Sequence, residues 1–224
     1  MAMAGNALIV GASRGIGLAL TERLLTKGYR VTASYRQASP LTDAVPANWL
    51  ALDLDNAQSV QAFVHALAGS EFDVVLINAG IYGPAAQSLM EANDEQLMQL
   101  FKTNTFAPVR LANQLLPRLR AGGVLAFTSS AMASLHENSF ATMPLYSASK
   151  AALNMLVRSM LPDVEIAGSC LLSLHPGWVQ TEMGGEEAPV TVQQSVEGLI
   201  HQLEKYQGLI GHYYVDYQGN TLRW

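Results

Sequence analysis

Short apolar runs alternate with longer amphipathic stretches along the whole of this chain. Residues 6–10 form the first run, and a helical pattern follows from Gly15, with Ile16, Ala19, Leu20, Leu24 and Leu25 at three- and four-residue intervals. The pattern predicts strand, turn, helix. Lys27 and Gly28 close that helix, a late cation followed by a C-terminal glycine, and a second strand over 29–35 comes at once. Residues 37–48 hold two prolines and no sustained period, so the second connection lacks a full helix. Residues 49–52 read as a third strand ending at Asp53. A helix over 56–68 carries Val60, Phe63, Val64 and Leu67 on one face, capped by Asp55 or Asn56.

The continuous β-branched and leucine run 73–77 is that of a strand covered on both faces, and it ends at Asn78-Ala79-Gly80. Residues 94–119 form a long helical region that ends near Pro117, Gly122 and Gly123, and Pro108 inside it implies two consecutive helices or a kink. Strand 123–128, helix 145–160, strand 169–175, helix 192–206 and strand 211–216 complete the series. Strands alternating with helices from end to end predict an α/β fold: a Rossmann-type, doubly wound parallel sheet between two helical layers, in one domain spanning 1–224. The expected strand order is 3-2-1-4-5-6-7, with a ligand cleft at the carboxyl ends of the strands.

Composition narrows the function classes. With 224 residues, half of them hydrophobic, the chain can bury a full core. A net charge of −5 without a basic run argues against nucleic acid as a partner. No apolar run approaches the roughly 20 residues of a membrane span, and residues 1–6 lack a charged start and an apolar middle, so the expectation is a cytoplasmic protein. The single cysteine, Cys170, has no partner for a disulfide or a metal and reads as a buried structural thiol.

Two motifs carry chemistry. Gly11-Ala12-Ser13-Arg14-Gly15-Ile16-Gly17 lies between the first strand and the first helix, where glycines let a phosphate approach the N–H groups of a helix N-terminus. No Lys-Ser/Thr follows, which disfavours a nucleoside-triphosphate loop and favours a dinucleotide. In the second motif, Tyr146 and Lys150 stand at i and i+4, a phenol and an ammonium on one helix face. A phenol needs help to act as an acid at neutral pH, since its ordinary pKa is about 10. An ammonium at about 4 Å, in an effective dielectric of roughly 20, is worth about 4 kcal/mol, or about three pKa units. Tyr-x-x-x-Lys by itself is an ordinary pair on a helix surface, and its weight comes from the glycine motif beside it.

Together these motifs resemble those of the short-chain dehydrogenase/reductase family over nearly the full length. The ending of the chain and His175-Pro176-Gly177-Trp178-Val179-Gln180-Thr181 are similar to the small branch of sniffer-type carbonyl reductases and C-factor-like proteins. The resemblance implies that Gly11, Gly15 and Gly17, with Ser13, Arg14 and Ile16 between them, hold the cofactor, Val10 standing where the family often has Thr. It implies that Asp53, followed by Leu54, meets the adenine, and that Asn78, Ala79 and Gly80 line the cleft. It makes Asn104, Ser130, Tyr146 and Lys150 the catalytic set, with Asn104 holding a water beside Lys150. Pro176 and Gly177 turn the chain so that Val179 and Thr181 meet the nicotinamide carboxamide. Packing is the reading for His175 and Trp178. Ser130 lies sixteen residues before Tyr146 against a usual thirteen, which lengthens the connection over 135–143 and leaves Ser129 as a rival to Ser130.

Cofactor choice turns on the adenosine ribose. A carboxylate after the second strand would accept from a free ribose hydroxyl, but here the place reads Tyr35-Arg36, and Arg14 lies in the glycine loop. Two guanidiniums without an acid between them favour a 2′-phosphate and hence NADPH. The expected activity is reduction of a small or medium ketone, aldehyde or quinone under a small lid over 182–191. A cofactor-binding regulatory protein without required turnover is the rival, whereas an epimerase or dehydratase acting on nucleotide sugars would need a larger substrate region. The apolar residues Ala107, Leu111, Ala151, Ala152 and Met155 are candidates for a homodimer face.

Overall fold

The computed structural model describes residues 5–139 and 142–224. Its seven strands are β1 Gly5–Val10, β2 Tyr29–Tyr35, β3 Asn48–Ala51, β4 Phe72–Ile77, β5 Leu119–Thr128, β6 Cys170–His175 and β7 Gly211–Asp216. They form one sheet in the order β3-β2-β1-β4-β5-β6-β7, and every neighbouring pair is parallel. The doubly wound Rossmann-type expectation is met strand for strand.

Period two explains why the central strands read as unbroken apolar runs. In β1, Ala7 and Ile9 enter one core while Leu8 and Val10 enter the other. β4 divides Val74 and Leu76 from Val75 and Ile77 in the same way, and β5 divides Val124 and Ala126 from Leu125 and Phe127. Successive side chains point to opposite faces, so a strand covered on both must be apolar at every position. The first core is closed by helices α1, Gly15–Thr26, and α8, Val192–Lys205, through Leu20, Leu24, Leu199 and Leu203. The second is closed by α3, Ala57–Ala66, α5, Ala107–Leu115, and α6, Pro144–Ser159, through Phe63, Leu111 and Leu153. Between β2 and β3 stands only the four-residue α2, Pro40–Asp43, with Ser39 and Thr42 in a capping box.

Several boundaries depart from the sequence expectation. The region 94–119 divides into α4, Asp94–Phe101, a π-helical turn Lys102–Phe106, α5, and a 3-10 turn Leu116–Arg118. Pro108 has no N–H to return to the Asn104 carbonyl four residues back, which is why the break falls just before it. A short helix α7, Leu161–Ile166, carries Pro162 in its first turn and had no predicted counterpart. β5 begins four residues early, at Leu119. Asn56, not Asp55, caps α3. Phe140 and Ala141, within the connection expected to be lengthened, lie outside the described residues, as do residues 1–4.

Leu111 and Ala107 are buried within the subunit, so they belong to no pairing face. α5 turns its apolar stripe inward because β4 and β5 need covering. Cys170 is likewise buried, its thiol against the Tyr206 carbonyl at 3.3 Å, as expected of a structural cysteine.

Candidate active site

The crevice between β1 and β4 is where the strand order reverses, and a single run of hydrogen bonds crosses it. Gly11, in the left-handed region at φ 82°, donates its N–H to Ser34 Oγ at 2.9 Å. Its carbonyl accepts from Asn78 Nδ2 at 3.0 Å. Asn78 Oδ1 accepts from Thr128 Oγ1 at 2.9 Å, and the Thr128 carbonyl accepts from Lys150 Nζ at 2.8 Å. The glycine loop is thereby tied to the lysine across four segments far apart in sequence.

Backbone approach explains two of the glycines. A Cβ on Gly11 would stand 2.7 Å from the Ala79 backbone, and one on Gly17 would stand 2.2 Å from the Gly11 carbonyl. Gly15, at φ 54°, faces Thr181, whose methyl would lie 3.5 Å from an added Cβ. Arg14 occupies the N-cap of α1 without a capping side-chain bond, and no acid stands in the first turn. The N–H groups there face the crevice uncapped, and the dipole favours an anion. Ser13 and Ile16 flank this turn, both partly buried.

Lys150 is 3% exposed. Burial lowers its pKa to about 8, and the same effect pushes the Tyr146 phenol up to about 12, with the Ser130 hydroxyl offsetting part of the rise. The three-unit depression expected of the i, i+4 pair is therefore corrected. The Lys150 ammonium lies 5.9 Å from the Tyr146 ring centroid and bonds the Thr128 carbonyl, and both groups lose more by leaving water than they gain from each other.

Ser130, not Ser129, is the serine whose hydroxyl acts on the phenol. Ser129 Oγ instead donates to Asn154 Oδ1 at 2.8 Å in the interior. Asn104 is fully buried in the π turn, where its side-chain amide is taken up by protein groups. Its Nδ2 donates to the Ile81 carbonyl at 2.8 Å and to Ser149 Oγ at 3.0 Å, while Oδ1 accepts the Ile81 N–H at 2.8 Å. Asn104 still borders the site, because a Cβ on Gly80 would lie 3.3 Å from both Asn104 Oδ1 and Lys150 Nζ.

The remaining candidates frame the crevice. The Asp53 carboxylate accepts the Asp55 N–H at 3.0 Å, and Leu54 packs on the second core. Arg36 is exposed one residue beyond β2. Arg14 reaches across to pair with Glu182, so both ends of this contact are solvent-exposed. Pro176 and Gly177, the latter at φ 87°, turn the chain after β6. Val179 bridges to Val190, closing 180–189 into a small loop whose Trp178 Nε1 donates to the Gly184 carbonyl at 2.7 Å. His175 is packed with its Nδ1 buried and without a partner, and burial lowers its pKa to about 4. Trp178 is 57% exposed, so packing accounts for the histidine and not for the tryptophan.

Sequence reasoning missed Ser34, Tyr82, Gln87, Thr128 and Tyr214. Thr128 alone carried a signal, as the last residue of a strand entering the cleft. The Tyr214 hydroxyl donates to the Ser130 carbonyl, and its ring packs 5.0 Å from that of Trp224. Such a contact between β7 and the connection after β5 leaves no local trace.

Comparison with known proteins agrees with this geometry. The family model described as short chain dehydrogenase matches residues 5–190. A carbonyl reductase from Pseudomonas aeruginosa PAO1, solved in complex with NADP, is 46% identical with a TM-score of 0.89, over 98% of this chain and 99% of that one. The carbonyl reductase Sniffer of D. melanogaster is 27% identical with a TM-score of 0.85, over 99% of this chain and all of that one. The protein named C-signal from Myxococcus xanthus is 35% identical over 167 residues, 74% of this chain and the whole of that protein. With the match over 5–190 and a glycine-rich crevice at the switch point of a 3-2-1-4-5-6-7 parallel sheet, the chain belongs to the short-chain dehydrogenase family of oxidoreductases.

Proposed function

We propose that this protein is an NADPH-dependent carbonyl reductase that converts a ketone, aldehyde or quinone to the corresponding alcohol. The observation that carries the reading is the meeting of Tyr146, Ser130 and buried Lys150 beside the glycine crevice. The crevice suits a dinucleotide, because the first turn of α1 is uncapped and the loop before it packs so closely that neither Gly11 nor Gly17 has room for a side chain. NADP in the Pseudomonas aeruginosa carbonyl reductase supports the same cofactor here.

Gly11, Ser13, Gly15, Ile16 and Gly17 would hold the pyrophosphate, Asp53 and Leu54 the adenine, Asn78, Ala79 and Gly80 the floor of the cleft, and Pro176, Gly177, Val179 and Thr181 the carboxamide. When bound, the dihydronicotinamide supplies a hydride to the carbonyl carbon. Tyr146 gives its proton to the carbonyl oxygen as charge develops there, and Ser130 hydrogen-bonds the same atom. A phenol with a raised pKa still protonates an alkoxide, which is the stronger base. Lys150 keeps the resulting phenolate company as a buried cation and holds the ribose. Asn104 is proposed to hold a water beside Lys150, through which the proton on Tyr146 is replaced. Hydride and proton together make the alcohol, so the step balances. A screen of carbonyl compounds for NADPH oxidation tests the reading, and a wild type that oxidises NADPH with none of them refutes it.

Arg36 and Arg14 are proposed to clamp the 2′-phosphate, Arg14 by exchanging Glu182 for it. NADPH is then expected to bind more tightly than NADH, and Arg36→Asp to narrow or reverse the preference. One lost charge-assisted contact is worth about 1.5–3 kcal/mol, or about ten- to a hundredfold in affinity. Equal dissociation constants for the two cofactors in the wild type would show that the arginines point elsewhere.

A homodimer is proposed through exposed Met98, Phe106 and Met155, with Ala151 and Ala152 beside them on α6. Sedimentation at micromolar concentration checks it, and a clean 24.1 kDa monomer refutes it. Among the described residues no helix is long and apolar enough to cross a membrane. A second reading, an NADP(H)-binding signalling protein, takes its support from the name of the 35% identical relative C-signal.

A further inference from the structure

The helix that carries Tyr146 has no N-cap of its own. Its N-cap position is Met143, in the left-handed conformation at φ 52° and with no side-chain cap bond, and Pro144 follows. The Tyr146 N–H belongs to the first turn of α6, where the helix itself provides no acceptor. Gln87, 59 residues earlier in the connection after β4, fills the role, and its Oε1 accepts the Tyr146 N–H at 2.9 Å. The other end of the same amide is engaged too, since Nε2 donates to the Tyr82 carbonyl at 3.2 Å and the Pro84 carbonyl at 2.9 Å. These bonds hold the segment that lays the Tyr82 ring against the Tyr146 ring, with centroids 6.1 Å apart and planes 23° apart. The Tyr82 hydroxyl then reaches Met143 Sδ at 3.1 Å, bracing the uncapped end of the helix.

We propose that Gln87 is a positioning residue for Tyr146: it fixes the tyrosine's backbone by capping α6 from another loop, and fixes its ring by holding Tyr82 beside it. The inference rests on the carbonyl-reduction reading above. A cap on Met143 would hold the helix end alone, whereas Gln87 couples the helix to the loop that forms one wall of the site. A helix that can fray at its first turn lets the phenol drift from the position where it meets Ser130, and proton transfer is sensitive to such displacement.

The test compares Gln87→Leu, which loses every polar atom, with Gln87→Glu, which keeps the acceptor for the Tyr146 N–H, places a charge that a helix N-terminus tolerates, and loses the Nε2 bonds to the Tyr82 and Pro84 carbonyls. Amide hydrogen exchange is measured at Tyr146 in the cofactor-free protein. Losing a cap corresponds to roughly a 5- to 30-fold change in a local equilibrium, so exchange at Tyr146 should accelerate by about that factor in Gln87→Leu and stay near the wild-type rate in Gln87→Glu. Turnover should show the same ranking, with kcat reduced about tenfold or more in Gln87→Leu and only partly recovered in Gln87→Glu, which no longer holds Tyr82, while KM and the NADPH dissociation constant stay within about twofold. Unchanged exchange in Gln87→Leu overturns the proposal, as does faster exchange with unchanged kcat, or a loss of NADPH affinity equal to the loss of kcat. If the wild type reduces no carbonyl compound, the reading of the reaction fails separately, and the exchange rates then decide whether Gln87 holds Tyr146.

Discussion

Tyr146→Phe is expected to lower carbonyl reduction by about 10²–10⁴ while leaving NADPH affinity within about twofold, the span that general acid catalysis contributes. Phenylalanine keeps the ring packed 6.1 Å from Tyr82 and removes only the hydroxyl that meets Ser130. Because burial already holds the phenol neutral, its removal takes no charge from the folded protein, and the loss should fall on turnover. Lys150→Met should damage binding and turnover together, since the ammonium is proposed to touch the ribose as well as to stand beside the phenolate. Cofactor fluorescence reports binding, and absorbance at the dihydronicotinamide band reports turnover with a substrate from the carbonyl screen. Full activity in Tyr146→Phe would remove the assignment. A wild type without any carbonyl substrate would leave the signalling reading in its place.

Acid should unfold this protein through two histidines. His175 and His212 each have a buried Nδ1 without a partner, and burial lowers their pKa values to about 4 and about 3. Asp216 beside His175 opposes the shift without reversing it, and Arg158 beside His212 adds to it. Both rings are neutral in the fold and ordinary once unfolded, so below the unfolded value the unfolded chain binds more protons. Stability is then fully present above about pH 6.5 and falls as pH drops toward the folded values, by about 1.4 kcal/mol per pH unit for each histidine. Between pH 7 and 4.5 the loss should reach on the order of 2 kcal/mol per histidine, measured by urea unfolding. His212→Phe keeps a ring against Trp224, whose centroid lies 4.6 Å from the imidazole, and should remove about half of the pH-dependent loss. Ser173 Oγ, 3.0 Å from His212 Nε2, loses its partner in that variant, a cost shared by both pH values that cancels in the difference. An unchanged slope in His212→Phe would assign the acid sensitivity to other groups.

The elements were legible where local pattern and tertiary environment demand the same residues. β2 and β7 coincide with their predicted bounds, because a glycine with positive φ marks the start of each, Gly28 just before β2 and Gly211 as the first residue of β7. The break near Pro108 was legible for a similar reason, since a missing N–H disrupts a helix wherever it stands. α7 escaped because six residues hold too little period to distinguish a helix from a turn. The uses of the apolar positions also escaped. Leu111 and Met155 look alike in sequence, yet one is buried beneath β4 and β5 and the other is 69% exposed.

At the site, the residue types and spacing determined the glycine crevice, the tyrosine and lysine on one helix face, and the family to which they belong. Each of those features lies within seven residues of chain, a distance over which backbone geometry is dictated locally. What the tertiary structure alone decided is how those pieces meet. It turned Ser130 toward the phenol and Ser129 toward Asn154, took up the Asn104 amide with Ile81 and Ser149, and brought Gln87 to the Tyr146 N–H. It also set the sign of the phenol's shift, because desolvation depends on everything packed around a group, and no spacing along the chain records that.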